Sequence, residues 1–276
     1  MTKTLNWLHR RKFYALLTLI ITIAYFFKGY GFVQAKYHTQ FRAYEFKVKG
    51  VSYLSIGPGW AYSFAYLKNL LIDTFCHFYI PKKGDCVVDI GAGLGEEALV
   101  TAQLVSNSGS VYAIEANPIT FKGLDFANKS NDFYWAKVIN VAVSNMDGEV
   151  TIEDDTQSYL GNTINKAGNI ESVPVKALTF DSLVRENKIG RIDFLKVNIE
   201  GAEQLLIQGM DASIQKVRNI CISCHDFRHR LHGHGEFYVT KEKVTAFLIN
   251  QGFEIVTRRT GNNAIDDFVY GKNSRL

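Results

Sequence analysis

One nine-residue run limits what this chain can fold into more than any other: Val87-Val88-Asp89-Ile90-Gly91-Ala92-Gly93-Leu94-Gly95. A short apolar strand runs into three glycines, and a helix-forming stretch follows. Glycine lets the backbone turn sharply there and lets a ligand lie against the main chain. A buried strand, a glycine turn and a helix make the opening unit of a parallel α/β sheet.

The pattern after Pro81 repeats that unit. Strands are expected at Cys86–Ile90, Val111–Glu115, Lys137–Val143, Val173–Ala177, Ile192–Ile199 and Val217–Ser223. Between them, helices are expected at Leu94–Val105, Pro118–Lys129, Phe180–Glu186 (capped by Thr179) and Gly201–Gln208, with a further helix at Lys241–Asn250. Asp147-Gly148 reads as a hairpin turn into Glu149–Glu153, and the polar stretch 154–171 as a surface loop. Phe253–Arg258 and Asp267–Tyr270 read as a closing antiparallel pair. Together these imply a Rossmann-like, doubly wound, mostly parallel sheet of seven strands with helices on both faces. Gly57-Pro58-Gly59 separates a strand-like piece from a helix near Ala61–Phe78. The chain therefore divides into a basic segment (1–50), an extension packed on the core (51–80) and the main domain (81–276).

Charge is unevenly placed. Residues 1–50 hold nine Lys/Arg against one acid, a net +8, whereas residues 51–276 hold 22 against 26, a net −4. The main domain lacks the basic-aromatic interleaving of a nucleic-acid binder, and no nucleic-acid partner is expected. Phe13–Phe27 is an uncharged apolar run between Lys12 and Lys28, and an N-terminal apolar helix is expected there. At about 22 Å it is shorter than a hydrocarbon core of about 30 Å. It reads as a membrane anchor, as a signal peptide cleaved near Val33-Gln34-Ala35, or as a buried or interfacial helix. The expectation carried forward is membrane association through residues 13–27, with the main domain on the cytosolic side. Four cysteines (Cys76, Cys86, Cys221, Cys224) are too few for a disulfide framework.

The glycine spacing speaks to the ligand. A dinucleotide turn needs G-x-G-x-x-G with a diphosphate at the helix start. Here the spacing is G-x-G-x-G, Glu96 takes the third dinucleotide position, and Glu97 adds a second acid. Acids around the turn repel a diphosphate and suit a cationic ligand. Asp89, Gly91, Ala92, Gly93, Gly95 and Glu96 are the expected cofactor residues of this loop. Glu115, at the end of the second strand and 20 residues past Gly95, is placed to accept ribose hydroxyls, with Ala116 and Asn117 shaping the turn below it.

At these residues the chain resembles the FkbM group of methyltransferases. The resemblance rests on VVDIGAGLGEEAL (87–99), VYAIEANP (111–118), VPVKALTFDSL (173–183) and IDFLKVNIEGAEQLLIQG (192–209), and it covers roughly residues 84–210. It implies S-adenosylmethionine as cofactor and methyl transfer to a hydroxyl of a glycan, lipid or small-molecule acceptor. The chain departs from the group's pattern at Asn198, where an Asp is usual, and at Ser223, where many members carry an acid two residues before a His.

The stretch 221–234, CISCHDFRHRLHGH, is rich in potential metal ligands. It lacks a second C-x-x-C, and Cys221 on a strand faces away from Cys224, so no metal site is expected. His225, just past the carboxyl edge of a strand, is the preferred general base, with Glu200 and Asn198 as the other candidates. Glu200 is equally suited to capping the helix after it. An NAD-dependent oxidoreductase and a catalytically weak, membrane-tethered binding homologue are the competing functions.

Overall fold

The computed structural model describes residues 2–27, 31–57, 64–153 and 172–276. The expected loop 154–171 and the Pro58-Gly59 break lie outside them. Two helices, α1 (Thr2–Arg10) and α2 (Tyr14–Phe27), lead into three strands, β1 (Val33–His38), β2 (Ala43–Val48) and β3 (Val51–Ser55). Helix α3 (Phe64–Asp73) follows, and then the main alternation: β4 (Cys86–Ile90), α4 (Glu96–Val105), β5 (Ser110–Glu115), α5 (Pro118–Ser130) and β6 (Ala136–Asn140). The chain continues through β7 (Ala142–Ser144), β8 (Gly148–Glu153), β9 (Ser172–Thr179), α6 (Phe180–Glu186), β10 (Ile192–Val197), α7 (Glu203–Gln208) and β11 (Val217–Ser223). Last come α8 (Asp226–His232), α9 (Lys241–Asn250), β12 (Phe253–Val256), α10 (Asn263–Asp266) and β13 (Phe268–Asn273).

The main sheet has seven strands in the order β12-β13-β11-β10-β4-β5-β6. β6, β5, β4, β10 and β11 run parallel, and β13 lies antiparallel between β11 and β12. The chain winds outward from β4 through β5 to β6, then restarts on the other side of β4 with β10. That reversal opens a crevice at the carboxyl ends of β4 and β10.

Alternation along each strand splits the interior in two. Val87, Val111, Ala113 and Phe194 pack on one face with Leu99 of α4 and Leu124 of α5. Val88, Ile90, Ile114 and Leu195 pack on the other with Phe180 and Leu183 of α6, Leu206 of α7 and Leu248 of α9. Asn117 starts α5 by accepting from Ile119 N and Thr120 N, with Pro118 at the first helical position. Asp226 Oδ2 accepts from Thr240 N and Lys241 N and so starts α9.

Several expectations are corrected. The strand expected over Lys137–Val143 is two strands in different sheets: β6 edges the main sheet, and β7 pairs with β9 in a small sheet ordered β7-β9-β8. Asp147-Gly148 makes no hairpin, because β9 lies between β7 and β8. Asp147 instead accepts from Thr179 N (2.7 Å) and Ser182 Oγ (2.6 Å), tying the turn to α6. Within the histidine-rich stretch, residues 226–232 form the helix α8. β1, β2 and β3 form an antiparallel sheet straddling residue 50, so the 1–50 and 51–80 segments are one structural unit. The expected spanning anchor is also overturned: among the described residues no helix is long and apolar enough to cross a membrane. α2 has 14 residues, and its Leu17, Ile21 and Tyr25 are buried against protein.

Candidate active site

The turn after β4 is built by its glycines. Gly91 (φ +76°), Gly93 (φ +57°) and Gly95 (φ +94°) occupy the left-handed region that side chains avoid. Gly91 N and Ala92 N both donate to Ile114 O at 2.9 Å, which wraps the turn over the end of β5. Gly91 also has no room for a side chain: a Cβ there would lie 1.9 Å from the Asn198 carbonyl oxygen. The two strand ends on either side of the crevice are thus in backbone contact, and Asn198 N donates to Ile90 O at 2.9 Å.

Glu115 reaches this turn from β5. Its Oε2 accepts from Gly93 N (2.9 Å) and its Oε1 from Asn117 N (2.8 Å). Burial pushes the carboxyl up to about 7, against the lowering effect of those two amides and of Lys196. Each oxygen keeps a lone pair beyond its amide bond. Glu96, at the start of α4, is pushed up to about 8 by burial and by Glu97. A diphosphate at this helix start would meet the Glu96 and Glu97 side chains, which are hydrogen-bond partners better suited to a cationic or neutral ligand.

Beneath the turn lies a buried ion pair. Lys196 Nζ of β10 is 2.8 Å from Asp89 Oδ1 and donates to Gly91 O at 2.8 Å. Both side chains are almost fully buried. Burial disfavours the ammonium, but Asp89, Glu97 and Glu115 outweigh it and keep the lysine protonated. The lysine therefore holds the outer carbonyl of the glycine turn from below.

After β10 the chain turns through Asn198, Ile199 and Glu200. Glu200 adopts φ +57°, a strained conformation for a residue with a side chain, and Gly201 follows at φ +98°. The Glu200 carboxylate is held by two cations: Arg228 Nη2 at 2.6 Å from Oε2, and His225 Nε2 at 3.4 Å from Oε1. His225 Nδ1 lies 2.9 Å from Oε1 of Glu203, a fully buried carboxylate that also accepts from Thr240 Oγ1 (3.2 Å) and Gly201 N (3.2 Å). Burial works against charge on the imidazole, but Glu203 and Glu200 more than offset it and push His225 up to about 10. His225 is thus an imidazolium between two carboxylates. Both ring nitrogens are engaged, which leaves none to receive a proton.

This clamp has a signed pH dependence. A histidine with a folded pKa near 10 and an unfolded pKa near 6.5 stabilises the fold fully below pH 6.5; that contribution fades as pH rises through about 10. His225→Gln should flatten that decline, measured as urea midpoints at pH values spanning the window. A decline of unchanged slope would show that His225 is neutral in the folded chain.

The cleft at the crevice is lined by Gly91, Ala92, Gly93, Glu96, Glu115, Ala116, Asn117, Asn198 and Glu200, all expected from the sequence. Three expected residues lie elsewhere. Asp89 faces Lys196 on the opposite side of β4, because alternate residues of a strand point to opposite faces. Gly95 caps α4 and packs against Leu124 behind the turn. His225 is buried behind Glu200. Among the described residues no group of three or more His, Cys, Asp or Glu is placed to hold a metal. Missed by the sequence were the apolar wall (Ile90, Val141, Val143 and Ile152) and the supporting Lys196, Glu203 and Arg228. Glu203 had one signal, its place three residues after Glu200 at the start of a helix.

A model of the methyltransferase FkbM domain matches residues 89–255. The chain is 25% identical over 193 residues to hexuronic acid methyltransferase AglP of Haloferax volcanii, covering 69% of this chain and 72% of that relative. Solved structures similar to it include methyltransferase FkbM from Methylobacillus flagellatus KT (15% identity, TM-score 0.47). That match covers 71% of this chain but only 45% of the other, so this chain spans less than half the length of that protein. An O-methyltransferase from Bacillus cereus in complex with SAH is also similar, at 12% identity and TM-score 0.48, over 76% of this chain and 80% of that one. With the matching domain covering more than half of its length, the chain belongs to the FkbM methyltransferase family of S-adenosylmethionine-dependent enzymes.

Proposed function

We propose that the cleft binds S-adenosylmethionine and that the chain methylates a hydroxyl on a glycan, lipid or small-molecule acceptor. The observation that carries this reading is the convergence, at one crevice, of the glycine turn, Glu115, Asn198 and Glu200 from strands far apart in sequence. The lining suits that cofactor. Carboxyl groups surround the turn where a cation would sit, and Ile90, Val141 and Val143 offer an apolar wall to an adenine. Asn198 Oδ1 is buried without a hydrogen bond among the described residues, a polar atom in want of a donor. The named relative acts on a hexuronic acid, which favours a sugar-type acceptor.

When bound, the cofactor supplies an electrophilic methyl carbon whose leaving group is a neutral thioether. Glu115 would accept from both ribose hydroxyls through the lone pairs its amide partners leave open. Asn198 would orient the acceptor hydroxyl or the cofactor's ammonium, and correct placement supplies much of the acceleration. The acceptor proton would pass to Glu200, the cleft-lining carboxylate. Arg228 and His225 fix Glu200's direction, and Glu203 and Thr240 fix His225. His225 is then a positioning residue.

Titration calorimetry with S-adenosylmethionine and with NAD, paired with transfer of a labelled methyl group to uronic acid glycans, tests the whole reading. Binding of NAD alone would overturn it. Glu115→Ala should weaken S-adenosylmethionine binding by roughly 1.5–3 kcal/mol, the worth of charge-assisted hydrogen bonds. An unchanged Kd in a folded variant would remove the ribose assignment.

A further inference from the structure

The N-terminal helices present a surface that the methyl-transfer reading does not use. Every residue of α2 except Thr18 and Thr22 is apolar or aromatic, yet only one stripe, Leu17, Ile21 and Tyr25, is buried against protein. On the opposite side Leu16, Leu19, Ile23 and Phe26 are each about half exposed. Phe27, the last residue of the helix, is 82% exposed, and Phe32 beyond it 64%. A helix apolar on all sides is ordinarily enclosed on all sides, and a continuous apolar row of this size marks an interaction surface.

The surroundings name the occupant. Arg10, Arg11 and Lys12 are exposed at the start of α2. Beside them Trp7 is 54% exposed, with the Arg11 guanidinium 5.9 Å from its ring centroid. Residues 1–50 carry net +8 against −4 for the rest of the chain. Like charge disfavours a second copy of this segment on that face, whereas an anionic lipid surface satisfies the basic cluster and the apolar row together. Tryptophan and arginine side chains suit the headgroup layer. At about 21 Å, α2 cannot cross a core of about 30 Å, and its inner stripe is already packed on protein.

We propose that α1 and α2 dock in the plane of a lipid bilayer rich in anionic headgroups, with Leu16, Leu19, Ile23 and Phe26 entering the acyl boundary and Arg10, Arg11 and Lys12 at the headgroups. The test is co-sedimentation of the full chain with phosphatidylcholine vesicles, with and without about one third phosphatidylglycerol. Binding is expected on the anionic vesicles, should weaken in high salt, and should be reversed by an alkaline carbonate wash. Leu19→Glu/Ile23→Glu should lower the bound fraction about tenfold or more, and Arg10→Glu/Arg11→Glu should remove the preference for anionic lipid. Melting temperature and S-adenosylmethionine affinity, unchanged in both variants, show that the fold and the cleft are intact. Carbonate-resistant binding would overturn the in-plane geometry. Equal binding to neutral vesicles, or no response to either variant, would overturn the lipid assignment. So would a concentration-dependent dimer that ignores vesicles and is broken by the glutamates.

Discussion

Replacing Glu200 with glutamine should lower kcat by about 10²–10⁴, the usual worth of a positioned general base, and leave S-adenosylmethionine affinity nearly unchanged. The shape of the side chain is kept; the proton-accepting charge is lost. Glu200 lines the cleft, whereas the alternative base, His225, is 3% exposed and lies between two carboxylates. A protonated imidazole cannot take a proton, and its loss should act through Glu200. His225→Gln should accordingly cost less than Glu200→Gln and alter the pH profile of kcat. Single-turnover rates with saturating cofactor separate the two. Full activity in Glu200→Gln with inactive His225→Gln would return the base role to the histidine.

Lys196→Met should be the most destabilising single change in the main sheet, at about 3–5 kcal/mol. The methionine fits the volume, but Asp89 is left buried without its cation, and Glu97 and Glu115 lose theirs as well. For a chain of this size the loss amounts to roughly 6–20 °C in melting temperature. The deficit should shrink as pH falls, because protonating Asp89 removes the stranded charge, and the double variant Asp89→Asn/Lys196→Met should recover much of it. Cofactor affinity should fall as well, since Lys196 also holds Gly91 O. Equal melting temperatures for Lys196→Met and the parent would show that the pair contributes nothing net.

What could be read from the sequence was what adjacent residues decide. Gly91, Gly93 and Gly95 announce a turn because glycine adopts the left-handed backbone region without the strain a side chain adds, and Glu115 follows at the end of the next strand of the same unit. The helix starts at Asn117 and Thr179 were legible for the same reason, since each cap bonds amides two or three residues away. The Glu200–His225–Glu203 clamp depends on β10 and β11 lying side by side, and only the folded sheet brings His225 to Glu203, 22 positions earlier. The sheet of β1–β3 escaped detection because its alternation is broken by buried polar groups: Glu45 accepts from His38 Nε2 (2.9 Å) and Ser52 Oγ (2.8 Å) inside it. Asp89 was misplaced because an acid before a glycine turn reads as a ligand contact until the strand's facing is known.

The β1–β3 sheet is joined to the main domain by an unusual rung. Asn131, just past α5, accepts from Ser52 N at 3.0 Å and donates to Ser52 O at 2.6 Å, so one side-chain amide stands in for a neighbouring strand. Around it Phe41 and Leu54 pack with Leu94 of the glycine turn and Ala127 of α5. The FkbM-matching stretch, which opens at Asp89 inside β4, should therefore not survive excision as a folded piece. Trimmed to that stretch, the chain would lose half of a central strand, leave Leu94 and Ala127 bare, and loosen the cofactor turn from behind. Cut instead at residue 40, it would strip β1 from β2 and present a raw strand edge to its neighbours. Hybrids made by swapping FkbM domains should therefore carry their own N-terminal sheet with them.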